Sequence, residues 1–208
     1  MAEQQHSQQF KITEALISAD RFGGFEGLAY DVRTSIAELN LFESLDKPYV
    51  TGTVAILDDK GLFDRINFTG TEMFRLSIAQ RTFYLTSVEV QQKSNDNGKS
   101  SIFLFTFIDM SAFASRLNKI RKSFNGRLDK SIMRVVAQYL KKDVDASYMY
   151  TSENKERGAV QTNIKGIIPN LTPMQTINWL ISRATTNTGS PFYCWATIHD
   201  DRIRIGNL

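Results

Sequence analysis

The stretch from Ser35 to Asp59 constrains the fold most, because it predicts two strands that carry apolar side chains on both faces. In the second strand, apolar and β-branched residues alternate with the period of two that is typical of extended chain. The segment Asp46-Lys47-Pro48 predicts a turn, since proline fixes its φ angle and offers no N–H to a central ladder. In the first strand, Ile36 is out of step with Leu39 and Leu41, which indicates a β-bulge. We therefore expect a bent β-hairpin with a packing partner on each face.

A second predicted hairpin joins residues 82–92 to residues 100–109 across a turn at Asn97-Gly98. Its second strand places three phenylalanines on one face and aliphatic side chains on the other. Full burial of one phenylalanine stabilises a fold by about 1.5–3 kcal/mol, so this aromatic face implies a covering helix or a neighbouring subunit. The predicted subunit-interface residues, each of which could equally belong to the core of the chain, are Phe42, Tyr49, Phe103, Phe105 and Phe107.

Helical spacing replaces strand alternation after Asp109. A first helix is expected over residues 111–123, with Leu117 and Ile120 on its apolar face. Asp129 is expected to cap a second helix. The sequence Thr172-Pro173-Met174-Gln175 predicts the start of a third helix, because it combines a capping threonine, a proline at the first helical position and a glutamine three residues after the cap.

The chain ends in a predicted hairpin of residues 192–199 and 202–205, joined at Asp200-Asp201. The polar first nine residues predict a flexible tail. These patterns together indicate an α+β protein that has a β domain over residues 10–110 and a smaller α+β domain over residues 111–208.

The charges divide at the same place as the predicted domains. Residues 1–110 hold 10 Lys and Arg against 15 Asp and Glu, and residues 111–208 hold 15 against 7, so net charges of −5 and +8 add to the overall +3. A basic run in the second part is interpreted as the solvated face of a helix, with nucleic-acid contact as the sharper alternative. This run comprises Lys119, Arg121, Lys122, Arg127, Lys130 and Arg134.

Residues that could perform chemistry are few and scattered. One histidine, His6, lies in the predicted tail, and the other, His199, adjoins two aspartates that a turn explains. Cys194 is expected to be a buried, inert thiol in a strand, and as the single cysteine it excludes a disulfide within the chain. We predict no catalytic, cofactor-binding or metal-binding residues, no cofactor, no secretory signal and no membrane anchor.

A family resemblance rests on the run IAELNLFESLDKPYVTGTVAILDDKGLFDRINFTGTEMFRLSI and on the order of the parts that follow it. Those parts are a hairpin ending FTFIDM, a helix ending YLKK, the segment IIPNLTPMQTINWLISRA and the closing FYCWATIHDDRIRI. Over residues 30–208 the chain resembles the baseplate hub protein of contractile-tailed, T-even-like bacteriophages, which joins the tail tube to the central spike.

The resemblance implies a tail-tube-like antiparallel β-barrel followed by a smaller α+β domain. It also implies a structural protein of the virion tail baseplate, made in the host cytoplasm, with no enzyme activity. Copies of such a hub form a ring, with a trimer favoured over a hexamer, around a channel through which DNA passes without specific binding. The implied partners are the tail tube protein, the central spike protein and the baseplate wedge proteins.

The chain departs from the hub family in having one predicted barrel, since family members carry a second. We therefore expect either that the sequence is a portion of a longer polypeptide or that another chain supplies the second barrel. Two alternatives stay open. One is a hexameric tail-tube or tail-terminator protein, and the other is a nucleic-acid-binding module that uses the basic run of residues 116–142.

Overall fold

The computed structural model describes residues 12–18, 29–59, 61, 72–76, 81–93, 101–149, 163–185 and 189–207. The predicted tail over residues 1–9 and the predicted turn at Asn97-Gly98 lie outside the described residues. We call residues 12–109 the sheet region and residues 110–207 the helical region. The domain limits given above stay a prediction.

One antiparallel sheet of seven strands forms the sheet region, in the order β2-β1-β5-β6-β7-β4-β3. Its strands are β1 (Ala15–Ser18), β2 (Ala29–Asp31), β3 (Ile36–Phe42), β4 (Thr51–Asp58), β5 (Met73–Leu76), β6 (Arg81–Lys93) and β7 (Ser101–Asp109). The sheet curls into a half-barrel that stays open, with β2 and β3 as its edges among the described residues. The structure agrees with the predicted α+β class, and the part of the predicted β-barrel that it describes is an open half-barrel.

Both predicted hairpins are present in this sheet. Strand β3 pairs with β4, and the register shifts between Ile36 and Glu38, which confirms the predicted bulge. The extra residue returns Ile36 to the face of Leu39 and Leu41, and all three pack against the core. Strand β6 pairs with β7 over almost its whole length, as the second hairpin prediction requires.

The concave face of the sheet encloses a core that we call the sheet core. It consists of Ala15, Ile17, Val32, Val50, Val54, Ile56, Phe74, Leu76, Phe83, Leu85, Phe105, Phe107 and Ala196. The ring of Phe107 lies 4.9 Å from that of Phe83 and 5.3 Å from that of Phe74, between centroids. Gly52 lies under the same ring, where an added Cβ would be 2.4 Å from Phe107 Cζ. The aromatic face of β7 is thus covered largely by the curled sheet itself, and the expected covering helix is not what buries it.

Short elements make up the helical region. They are α1 (Met110–Ser115), β8 (Ser123–Arg127), α2 (Leu128–Val135), a π-helical turn (Val136–Leu140), β9 (Val144–Asp145), a 3-10 turn (Ser147–Met149), β10 (Asn163–Ile167), α3 (Pro173–Ile181), β11 (Tyr193–Ala196) and β12 (Ile203–Gly206). Strands β8 and β10 pair antiparallel, while β12 pairs antiparallel with β11 and parallel with β9. The closing hairpin is confirmed.

The helix predicted over residues 111–123 is wrong beyond Ser115. The chain leaves the helix there, and Ile120 forms an antiparallel bridge with Leu171 before β8 begins. Backbone pairing with a segment some fifty residues later overrides the local helical spacing, and it turns Leu117 out into solvent with 77% of its surface exposed.

The predicted cap of the second helix is also corrected. The N-cap of α2 is Arg127, and Asp129 lies inside the first turn with its side chain fully buried. Its carboxylate accepts hydrogen bonds from the Arg127 guanidinium, at 2.6 Å from Nη2 to Oδ2 and 3.1 Å from Nε to Oδ1. A carboxylate in the first turn still suits the positive end of the helix dipole.

The start of α3 agrees with its prediction in every feature. Thr172 Oγ1 accepts a hydrogen bond from Gln175 N at 3.3 Å, and Gln175 Oε1 accepts one from Thr172 N at 3.0 Å. Helix α3 buries Ile177 and Leu180 in a second core, which we call the helical core. This core also takes in apolar side chains of α2, β11 and β12.

Candidate assembly surfaces

The five predicted interface residues fall into different environments. Phe105 and Phe107 have no exposed surface and belong to the sheet core, and Phe103 is half-buried against that core. Tyr49 is half-buried against the helical core. Phe42 is 54% exposed at the end of β3. Burial within the chain leaves Phe105 and Phe107 no surface to offer a neighbour, so Phe42 is the residue of this set that a second subunit can reach most freely.

Phe42 belongs to a surface that we call the acidic edge, formed by Glu38, Phe42, Glu43, Leu45 and Asp46. All five are exposed, and they follow the outer strand of the sheet and the turn after it. The Asn40 amide donates a hydrogen bond to Glu38 at 2.8 Å, and the backbone N–H of Ile198 donates to Glu43. A hydrogen bond from the Ser44 hydroxyl lowers the pKa of Asp46, so this carboxylate keeps its charge into mild acid.

A second surface, the basic loop, consists of Arg116, Leu117, Lys119, Arg121 and Lys122, together with Ile167. Ile167 pairs with Ser123, and Ile168 N donates to Lys122 O at 2.9 Å, so β10 holds the two strips of chain side by side. Leu117 and Ile167 are 77% and 67% exposed. The basic run is therefore not one helix face: its first half is extended loop, and only Lys130 and Arg134 lie on α2.

The four cations of the basic loop form no ion pair in the part of the chain that the structure describes. Between Met110 and Leu128 the sequence holds five basic residues and no acidic one. Unpaired positive charge beside exposed aliphatic side chains favours contact with an acidic partner.

A buried ion cluster ties the sheet region to the helical region. Lys142 Nζ lies 3.0 Å from both carboxylate oxygens of Asp109 at the end of β7, and 2.6 Å from Asp201 Oδ1 in the β11–β12 turn. Asp109 Oδ1 also accepts hydrogen bonds from the N–H and hydroxyl of Ser111. Lys142 and Asp109 are almost completely buried, whereas Asp201 is largely exposed. The cluster borders a cleft of about 380 Å³.

Sequence reasoning missed Lys142 altogether. The lysine is separated from its two aspartates by 33 and 59 residues, and no local pattern marks a side chain whose partners are so distant. Sequence reasoning also missed that Leu117 and Ile167 are exposed. Helical spacing favoured burial of Leu117, and strand alternation did not indicate whether Ile167 faces the core or the solvent.

The residues considered for chemistry have structural explanations. Burial raises the pKa of the Cys194 thiol, which lies inside the helical core. Burial alone would raise the pKa of Asp200, but hydrogen bonds from Arg202 N at 3.1 Å and from the Arg204 guanidinium at 2.7 Å lower it overall. Among the described residues, no group of three His, Cys, Asp or Glu could hold a metal ion. No helix of the described ranges is long and apolar enough to cross a membrane.

Comparison with known proteins gives matches in structure alone. No protein-family model and no curated protein sequence matches the chain. A crystal structure of a tail protein from Neisseria meningitidis MC58 matches with a TM-score of 0.51 and 15% identity, over 93% of this chain and 50% of that one. The 43 kDa tail protein of prophage MuSo2 from Shewanella oneidensis matches with a TM-score of 0.58 and 11% identity, over 93% and 54%.

Prophage tail protein gp18 from Listeria monocytogenes EGD-e matches with a TM-score of 0.50 and 7% identity, over 94% of this chain and 51% of that one. The chain thus spans about half the length of the solved structures it matches. Identities this low carry the fold and nothing more specific. The fold of this chain is shared with tail proteins, two of them from prophages.

Proposed function

We propose that this chain is a structural subunit of a bacteriophage tail, and that it belongs to the baseplate hub that joins the tail tube to the central spike. The observation that carries the proposal is the fold shared with three tail proteins over more than nine-tenths of the chain. The resemblance to hub proteins in the order of motifs narrows the role from the tail in general to the hub.

A ring of identical copies suits the open sheet. An edge strand presents unpaired backbone groups and invites another chain, and a closed ring satisfies every such edge with a copy of the same protein. Strand β3 is such an edge, and it carries the exposed Phe42. The proposed ring is a homo-oligomer, with a trimer favoured over a hexamer.

The charge division suits a channel for DNA. Phosphates that met many lysines and arginines along a channel wall would be held and would pass slowly. The first 110 residues have a net charge of −5, so we place the sheet region toward the lumen and the helical region outside the wall. The tail tube, the central spike and the baseplate wedges are the proposed partners, and DNA passes without specific binding.

Native mass spectrometry of the purified chain tests the ring. We expect a closed assembly, a trimer before a hexamer, whose mass stays constant over a wide range of protein concentration. A hexamer would favour a tail-tube or tail-terminator protein instead. A chain that stays monomeric at high concentration would contradict the proposal.

The basic loop favours a second candidate function, that of a nucleic-acid-binding module. This candidate predicts salt-dependent retention of duplex DNA by the chain in a filter-binding assay, because each phosphate contact releases counterions. Retention that does not change with salt, or no retention at all, would remove it.

A further inference from the structure

We infer that in this assembly the basic loop of one copy docks on the acidic edge of the next copy. The inference rests on the proposed ring and adds to it which two surfaces meet. Both surfaces lie on the described part of the chain, and each pairs exposed apolar side chains with charges of one sign.

The basic loop has an ordered backbone and exposed side chains, two features that favour binding of a partner. At the start of the loop, Arg116 N donates to Phe113 O at 3.0 Å, and at its end the Ile120–Leu171 bridge and Ile168 N, which donates to Lys122 O, hold the backbone. The loop is therefore fixed at both ends rather than left to fold on contact. A surface that is already ordered loses little entropy when it binds. Leu117 and Ile167 are the loop's exposed apolar side chains, and Arg116, Lys119, Arg121 and Lys122 are its exposed cations.

The acidic edge has the opposite charge and a similar composition. Phe42 and Leu45 are its exposed apolar side chains, at 54% and 45%, and the exposed Glu38, Glu43 and Asp46 lie near them in the sequence. Lys47 is the one basic residue between Ser35 and Val50, so this strip carries a net charge of −2. Aromatic anchors inside a charged rim are typical of protein interfaces.

The two surfaces use different residues, so a single loop-to-edge contact is head-to-tail and leaves one basic loop and one acidic edge for further copies. Contacts of this type close into rings when the rotation between copies divides a full turn, which is the arrangement that a hub requires. Like charges would repel if the same surface of two copies met, since each surface carries a net charge of one sign. The charges therefore disfavour contact between two identical surfaces and favour contact between the basic loop and the acidic edge.

Charge reversal tests the inference. A loop variant carries Lys119→Glu and Arg121→Glu, an edge variant carries Glu38→Lys and Asp46→Lys, and a combined variant carries all four. The matched control carries Lys130→Glu and Lys141→Glu, which reverse two exposed charges outside the loop. Circular dichroism spectra verify that each variant keeps its fold, and analytical ultracentrifugation measures self-association.

We expect the loop and edge variants each to associate about tenfold more weakly or worse, the control to behave like the wild type, and the combined variant to regain most of the loss. Loop and edge variants that assemble like the wild type would overturn the inference while leaving the ring intact. A combined variant as weak as the single-surface variants would overturn it too. A wild-type chain that does not assemble would instead contradict the proposed function.

Duplex DNA is the remaining arm of the test. The inference is wrong if the wild type retains DNA on a filter, the loop variant does not, and the two associate equally. In that case the basic loop binds nucleic acid rather than a second copy.

Discussion

The sheet region and the helical region are stabilised in different ways. The sheet core brings together apolar side chains from several strands, among them Phe74, Phe83 and Phe107, and the strand pairing of the sheet holds them in register. The helical region has an apolar core too, but its helices have six to nine residues and its strands two to five, and polar contacts such as those of Lys142 link these short pieces. Strands of up to thirteen residues share the sheet core, whereas the short elements of the helical region combine an apolar core with specific links between distant parts of the chain.

This difference predicts how each region fails. A region stabilised by apolar burial loses stability in proportion to the volume removed from its core. A region stabilised by polar links loses stability when a single partner is deleted and the other stays buried without it. Both tryptophans, Trp179 and Trp195, lie in the helical region, so their fluorescence reports that region while far-ultraviolet circular dichroism reports both.

The largest effect is expected from Phe107→Ala in the sheet core. The substitution removes a fully buried ring that contacts two other aromatic rings, and we expect it to cost about 3–5 kcal/mol of unfolding free energy. Urea unfolding followed by circular dichroism measures the change. Leu57→Ala, on the exposed side of β4, is the control and should cost less than about 1 kcal/mol. Equal losses for the two variants would contradict the account of the sheet core.

Lys142→Met tests the link between the regions. It removes the Lys142 ammonium from the buried Asp109 carboxylate, and we expect a loss of about 3 kcal/mol of unfolding free energy. Fluorescence-monitored urea unfolding measures the loss, and Lys141→Met, at the exposed neighbouring position, is the control. Adding Asp109→Asn to Lys142→Met should recover part of the loss, because the uncompensated charge disappears. If Lys142→Met were as stable as Lys141→Met, the ion cluster would not stabilise the contact between the sheet region and the helical region.

Alanine substitutions at Gly52 and Gly166 compare how tightly side chains pack in the sheet region and in the helical region. A Cβ at Gly52 would lie 2.4 Å from both Asn40 O and the Phe107 ring, so Gly52→Ala should cost about 1–3 kcal/mol through overpacking. At Gly166 the nearest atom is 3.0 Å away and belongs to the Phe124 ring alone, which can shift. Gly166→Ala should therefore cost less, and the reverse order in thermal unfolding would contradict the comparison.

The smallest effect is expected at the start of α3. Thr172→Ala removes one side of the capping box and should cost about 1 kcal/mol, whereas Thr172→Ser keeps the hydroxyl and should cost a few tenths of that. Fluorescence-monitored unfolding measures both variants. If alanine and serine were equivalent here, the cap would contribute nothing to the helical region.

The same contrast explains what the sequence could predict. The β3–β4 hairpin with its bulge, the β6–β7 pairing, the Thr172 cap and the closing hairpin all depend on neighbours within a few residues or on a period of two. Patterns of that kind can be recognised from the local sequence alone.

The rest depends on contacts that no local pattern records. The short α1, the extended basic loop and the ion cluster of Lys142 each follow from a partner dozens of residues away. The aromatic face of β7 predicts a covering helix or a neighbouring subunit, but the sheet itself buries Phe105 and Phe107, because its curl is a property of the whole sheet. For the candidate surfaces, the sequence indicated Phe42 and the sign of the basic run, and the fold supplied their exposure.

An electron cryomicroscopy map of the assembled tail tests the central claim most directly. The account predicts copies of this chain in a closed ring at the junction of tail tube and spike, with the sheet region toward the lumen and each basic loop against the neighbouring copy. A map that places the chain elsewhere in the particle, or that lines the channel with the basic loop, would contradict it.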